Sequence, residues 1–228
     1  MFPRSRQWEY AYDSEISVST YGIPGIFRHS FLKILAATSA YYRQAFGAQS
    51  VGRLELNVRK QSGLCNRLWT NGADRIYLTL ARKKELEPPR ISRVFNIYGL
   101  AHELGHIVLY RSLINIHELH RGWGEGWAVY VASFMAVPYL FSKYGPDLWP
   151  YPYDYLQTEG PKRLLSCFNS QPVKIISPVT HAVHSLYVFQ QQLGGERNFQ
   201  KYFRELFARP IRSDMFYKKV SMKIKRTI

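Results

Sequence analysis

The chain has 228 residues, of which 46% are hydrophobic and 15% aromatic, enough for one ordinary core and too apolar for a disordered polymer. Lys and Arg outnumber Asp and Glu by 31 to 16, a formal net charge of +15. The two cysteines, Cys65 and Cys167, lie far apart and match no metal or redox spacing, which argues against a disulfide framework.

The first residues mix Arg4, Arg6, Glu9, Asp13 and Glu15 among apolar ones, without the apolar core of a signal peptide. Partial alternation of Ile16, Val18 and Thr20 predicts a strand within 9–20. Phe27, Phe31, Ile34, Leu35, Tyr41, Tyr42 and Ala45 repeat at helical spacing, with Thr38 the one polar residue on the stripe and Gly47 the stop. Leu54, Leu56 and Val58 alternate with polar residues as in a half-buried strand. A short edge strand is expected over 63–69 and another strand over 75–81, with a turn at Asn71-Gly72 between them. Pro88-Pro89 breaks the chain before a long helix over 91–113, and a second helix follows over 124–144. The latter contains the longest apolar stretch, 127–141, which falls short of the ~20 residues needed to span a bilayer. A Pro- and Tyr-rich ordered loop (145–161) precedes helices over 178–193 and 197–208, separated by Gly194-Gly195. Strands grouped early and helices late give an α+β fold.

The chemistry centres on Ala101-His102-Glu103-Leu104-Gly105-His106. On a helix His102 and His106 project from one face, one turn apart, so two imidazoles reach one ion. Glu103, rotated by about 100°, addresses the ion's open position. Zinc takes imidazole and carboxylate donors and, at a catalytic site, keeps three protein ligands plus water. Phe95, Tyr98, Leu104, Ile107 and Val108 make this helix apolar, and buried polar groups within it need partners, which a metal supplies. For the third ligand two candidates follow, His120 and Glu125. A metzincin arrangement is excluded, because its glycine and last histidine would fall on Leu109 and Ser112.

Glu125 lies in Trp123-Gly124-Glu125-Gly126-Trp127-Ala128-Val129-Tyr130. With the preceding H-E-x-x-H this resembles the gluzincins, in particular small peptidase-MA-like proteins and minigluzincins, over residues 50–145. The resemblance implies a zincin-like domain in which one zinc ion per chain is held by His102, His106 and Glu125, and in which Glu103 activates the zinc-bound water to hydrolyse a peptide bond. It also implies a substrate-binding edge strand at 63–69 and an oxyanion-stabilising residue among His181, His184 and Tyr187, with His181 preferred. Small Gly126 and Ala128 are expected to let the second helix approach the first. Where thermolysin-like proteins carry an aspartate that orients a histidine, this chain has Val129, so that partner must come from elsewhere, a backbone carbonyl being one source. The SprT-like alternative, with His120 as ligand, matches its motif only in part, and His117 and His120 read as a polar connector.

The expectation is therefore one domain over 1–228: a core at 50–145, a helical C-terminal subdomain at 146–210 and a basic tail at 211–228. The function expected is a cytoplasmic zinc metallopeptidase acting on a peptide or protein substrate, without a transmembrane segment. Two alternatives stand beside it. One is a regulatory peptidase like the ImmA/IrrE group, on the loose likeness of Glu125-x-x-Ala128 and its continuation. The other is a basic nucleic-acid-binding protein with a structural or vestigial zinc site. The +15 charge permits nucleic acid or an acidic surface as partner, but no recognition motif favours it over a solvated basic surface.

Overall fold

Alternation of Leu54, Leu56 and Val58 produces the middle strand of a five-stranded sheet. The computed structural model describes residues 9–11, 16–19, 25–47, 54–60, 67–70, 75–80, 97–119, 121–144 and 177–225. Cys65, His120, the Pro88-Pro89 break and the loop expected at 145–161 lie outside them. The sheet comprises β1 (Glu9–Ala11), β2 (Ile16–Ser19), β3 (Leu54–Lys60), β4 (Arg67–Thr70) and β5 (Arg75–Leu80), in the order β1-β2-β3-β5-β4. β2, β3 and β5 run parallel, while β1 and β4 are antiparallel additions at the two edges. Adjacent parallel strands need a crossover, and α1 (Gly25–Phe46) supplies it between β2 and β3. Thr38, the polar residue on the α1 stripe, is fully buried and donates to the Ile34 carbonyl, so it needs no external partner. Gly47, at φ 106°, ends the helix in a conformation that favours glycine.

The two central helices are α2 (Ile97–Ser112) and α3 (Arg121–Val131). The apolar pattern expected to form one helix over 124–144 is interrupted by a π-helical turn, Ala132–Ala136, before α4 (Val137–Tyr144). Its cause is Pro138, which lacks an N–H and whose ring collides with the preceding turn; the Val137 N–H reaches back to the Ala132 carbonyl instead. Three further helices follow among the described residues: α5 (Pro178–Gln192), α6 (Glu196–Leu206) and α7 (Ser213–Lys225). α5 is capped by Ser177, whose hydroxyl accepts from the Thr180 N–H. α3 packs on α2 on one side and on α5 on the other.

Trp127 is fully buried at the centre of the helical core, with Phe46, Phe199, Phe203, Phe207 and Phe216 around it at centroid separations of 4.9 to 6.3 Å. Such aromatic pairs add about 0.5–1.5 kcal/mol each beyond their buried area. Phe216 belongs to the segment read as a basic tail, and there the sequence reading needs correcting. Residues 213–225 form α7, which buries Phe216 and Val220 one turn apart while Lys218 and Lys219 face solvent. A two-residue parallel pair, β6 (Leu113–Ile114) with β7 (Ile211–Arg212), and the Ser213 hydroxyl on the Ile114 and Asn115 carbonyls tie α7 to the end of α2. No helix among the described residues is long and apolar enough to cross a membrane.

Candidate metal centre

α2 places the His102 and His106 Nε2 atoms 3.2 Å apart. Glu125, on the second turn of α3, brings Oε2 to 3.4 Å from His102 Nε2 and 3.5 Å from His106 Nε2. These residues form the one potential metal-holding cluster found among the described residues. A tetrahedral ion bound at ~2.0–2.2 Å sets its donors about 3.3–3.6 Å apart, and the edges of this triangle lie in or beside that interval. The donor set therefore fits a divalent cation, although imidazole and carboxylate suit several such ions. Bonds from the two imidazoles hold the Glu125 carboxyl well below the usual carboxylate range, in the ionised form that a ligand requires.

Close approach of α2 and α3 makes the triangle, and Gly105 permits it. A β-carbon there would lie 2.9 Å from Val131 Cγ2 and 3.1 Å from Ala128 Cα. Ala128 thus faces α2, as expected from the sequence. Gly126 does not: a side chain at that position would collide with Ala182 of α5. Two hydrogen bonds anchor α2 beside its histidines. The Tyr42 hydroxyl donates to the Ala101 carbonyl at 2.8 Å, and the Trp127 indole N–H donates to the Gly105 carbonyl at 3.1 Å. Neither Tyr42 nor Trp127 stood out in the sequence as part of the site, because nothing local marks an aromatic whose polar atom meets a helix carbonyl.

Glu103 is 9% exposed beside the triangle. Burial pushes its pKa up to about 7; the nearby Glu125 carboxylate adds to the rise, while His102 and a bond from the Thr70 N–H oppose it. A cation held by the three donors would lower this value. Thr70 ends β4, so the edge strand of the sheet runs up to the acid. This strand occupies part of the segment expected to be an edge strand; residues 63–66 lie outside the described ones. The Nδ1 atoms of His102 and His106 are buried and have no hydrogen-bond partner among the described residues, so no backbone carbonyl there takes the place of the aspartate absent at Val129.

The oxyanion candidates lie on α5. His181 is exposed and lines a cavity with Trp123 and Tyr217 that shares no residue with the donor triangle. His184 is partly buried, and burial together with the neighbouring His181 lowers its pKa. The Tyr187 ring lies 6.1 Å from Phe134. His117 is exposed in a short 3₁₀ turn (Ile116–Glu118), as a connector residue should be. No family model, curated protein or solved structure matches the chain.

Proposed function

We propose that this protein is a zinc-dependent peptide-bond hydrolase of gluzincin type, with His102, His106 and Glu125 as metal ligands and Glu103 as general base and acid. The observation that carries the reading is the donor triangle with a buried carboxyl beside it. Zinc at this position would polarise the scissile carbonyl and acidify water. Glu103 accepts a proton from the attacking water and returns it to the leaving amine nitrogen as the C–N bond breaks. Its low exposure limits contact with bulk water, so that a proton taken from the attacking water stays at hand for the leaving amine. β4 pairs with β5 on one side only among the described residues, which leaves an edge where an extended peptide can add as a further strand close to Glu103. A purely structural ion would need no such acid, which favours catalysis over a structural or vestigial metal.

The test compares wild type with Glu103→Ala. Metal analysis is expected to find about one zinc per chain in both, and peptide-library hydrolysis is expected in wild type alone. Full activity in Glu103→Ala overturns the mechanism, and zinc well below one per chain in wild type overturns the site.

A further inference from the structure

A separate cavity opens on the side of α3 turned away from Glu125, since positions 123 and 125 of one helix point about 200° apart. It encloses about 450 Å³, within the ~300–1,000 Å³ usual for small-ligand pockets. Leu119, Trp123, Pro178 and Tyr217 form apolar walls, and the Trp123 and Tyr217 rings meet edge to face at 5.3 Å. Its acidic groups are Glu118 and Asp214, the exposed His181 imidazole also borders it, and among the described residues no lysine or arginine lines it. Arg212 and Lys218 pair with Asp214 from outside, but both are 62% exposed, and exposed pairs hold weakly enough for a ligand to compete.

We propose that this cavity binds a small organic cation, an amidinium, guanidinium or alkylammonium group carried on an apolar body. The body packs against Trp123 and Tyr217 while the charge faces Glu118 and Asp214, which joins apolar burial to charge-assisted hydrogen bonding. Charge makes the inference sharp. A chain of net charge +15 attracts anions and repels cations through its general field, so a preference for a cation has to come from the cavity itself. The proposal does not depend on the metal reading, and it stands or falls without it.

Benzamidine, benzamide and benzoate have nearly one shape and differ in charge. Each is titrated into the full-length protein and followed by ligand-observed saturation-transfer NMR. Benzamidine is expected to saturate in the millimolar range, as a fragment of its size does, and to bind at least ~5-fold tighter than the other two. Glu118→Gln combined with Asp214→Asn should erase that margin while the circular-dichroism melt stays unchanged. Tyr217→Ala, at a residue 45% exposed, should weaken benzamidine at least ~3-fold without altering charge, and it carries the test should the double variant fold poorly. Equal binding of the three probes, tighter binding of benzoate, absence of saturation, or benzamidine binding indifferent to both variants overturns the proposal.

Discussion

Gly105→Ala sets two effects of known size against each other. Alanine is the better helix former, which stabilises by about 0.8–1 kcal/mol. Against this, the new methyl would lie 2.9 Å from Val131 Cγ2 and 3.1 Å from Ala128 Cα. Both neighbours are fully buried, and the second is backbone, so α3 itself has to move. Overpacking of this kind costs about 1–3 kcal/mol. The net expectation is destabilisation of about 0–2 kcal/mol, a Tm lower by up to ~8 °C at ~2–4 °C per kcal/mol for a domain of this size. Moving α3 also carries Glu125 away from the histidines, so zinc affinity should fall by ~10- to 100-fold, as when a supporting contact of a metal site is lost. Calorimetry in excess chelator isolates the stability term, and competition with a chromophoric chelator reads the affinity. A Tm raised by ~2–4 °C with zinc affinity unchanged would refute the argument, because helix propensity would then have won at a contact that does not position the site.

Three further outcomes are expected. Zinc at ~1,000 times its Kd should stabilise wild type by about 4 kcal/mol, so chelation should lower its Tm by roughly 8–16 °C while leaving His106→Ala unaffected; equal chelator response in both would place any metal elsewhere. Glu103→Ala should retain the metal and lose hydrolysis, which paired metal analysis and peptide assays decide. Burial raises the Glu196 pKa despite bonds from Tyr41 and Gln200. A carboxyl that holds its proton more tightly when folded adds stability below its unfolded pKa, and that stability is lost as pH rises through the folded value. Wild type should therefore gain stability relative to Glu196→Gln as pH falls from about 7 to about 4 in paired urea melts. A relative loss would mean that the charge–dipole attraction of the first turn of α6 outweighs burial.

What could be read from the sequence was what is encoded locally. His102, Glu103 and His106 sit within one turn and a half of a helix, so their spacing alone places both imidazoles on one side. Glu125 came from a short string around it, and the fold brings its carboxylate to the histidines. Long-range partners stayed hidden. Gly126 looked like a contact with the first helix and serves α5 instead, because a small residue does not say which neighbour needs the space. Gly105 occupied a free position of the motif, and its importance depends on Val131 and Ala128, more than twenty residues away. The residues from 213 onwards read as a charged tail because lysines dominate them; the pair Phe216 and Val220 that docks α7 is too short a stripe to stand out. Sheet order was hidden for the same reason, since β5 inserts between β3 and β4 through backbone pairing, and alternation does not encode partners.

The support of the histidines is the remaining question, because Val129 stands where thermolysin-like proteins use an orienting aspartate and neither Nδ1 has a partner among the described residues. The rings instead pack beside aromatic neighbours, His102 with Tyr98 at 5.8 Å and His106 with Tyr110 at 5.5 Å. The stronger constraint acts on the backbone: the carbonyls immediately before each histidine accept from Tyr42 and Trp127, so each histidine-bearing turn of α2 is tied to a neighbouring helix. In this fold the helix is held and the imidazoles follow it. Tyr42→Phe isolates the idea, since it keeps the ring and removes the bond to Ala101. It should cost about 1 kcal/mol of stability and, if the tie positions His102, lower zinc affinity by ~10-fold or more. A fall in stability with zinc affinity unchanged would show that the bond secures the core alone, and the orientation of His102 would then rest on its ring contacts.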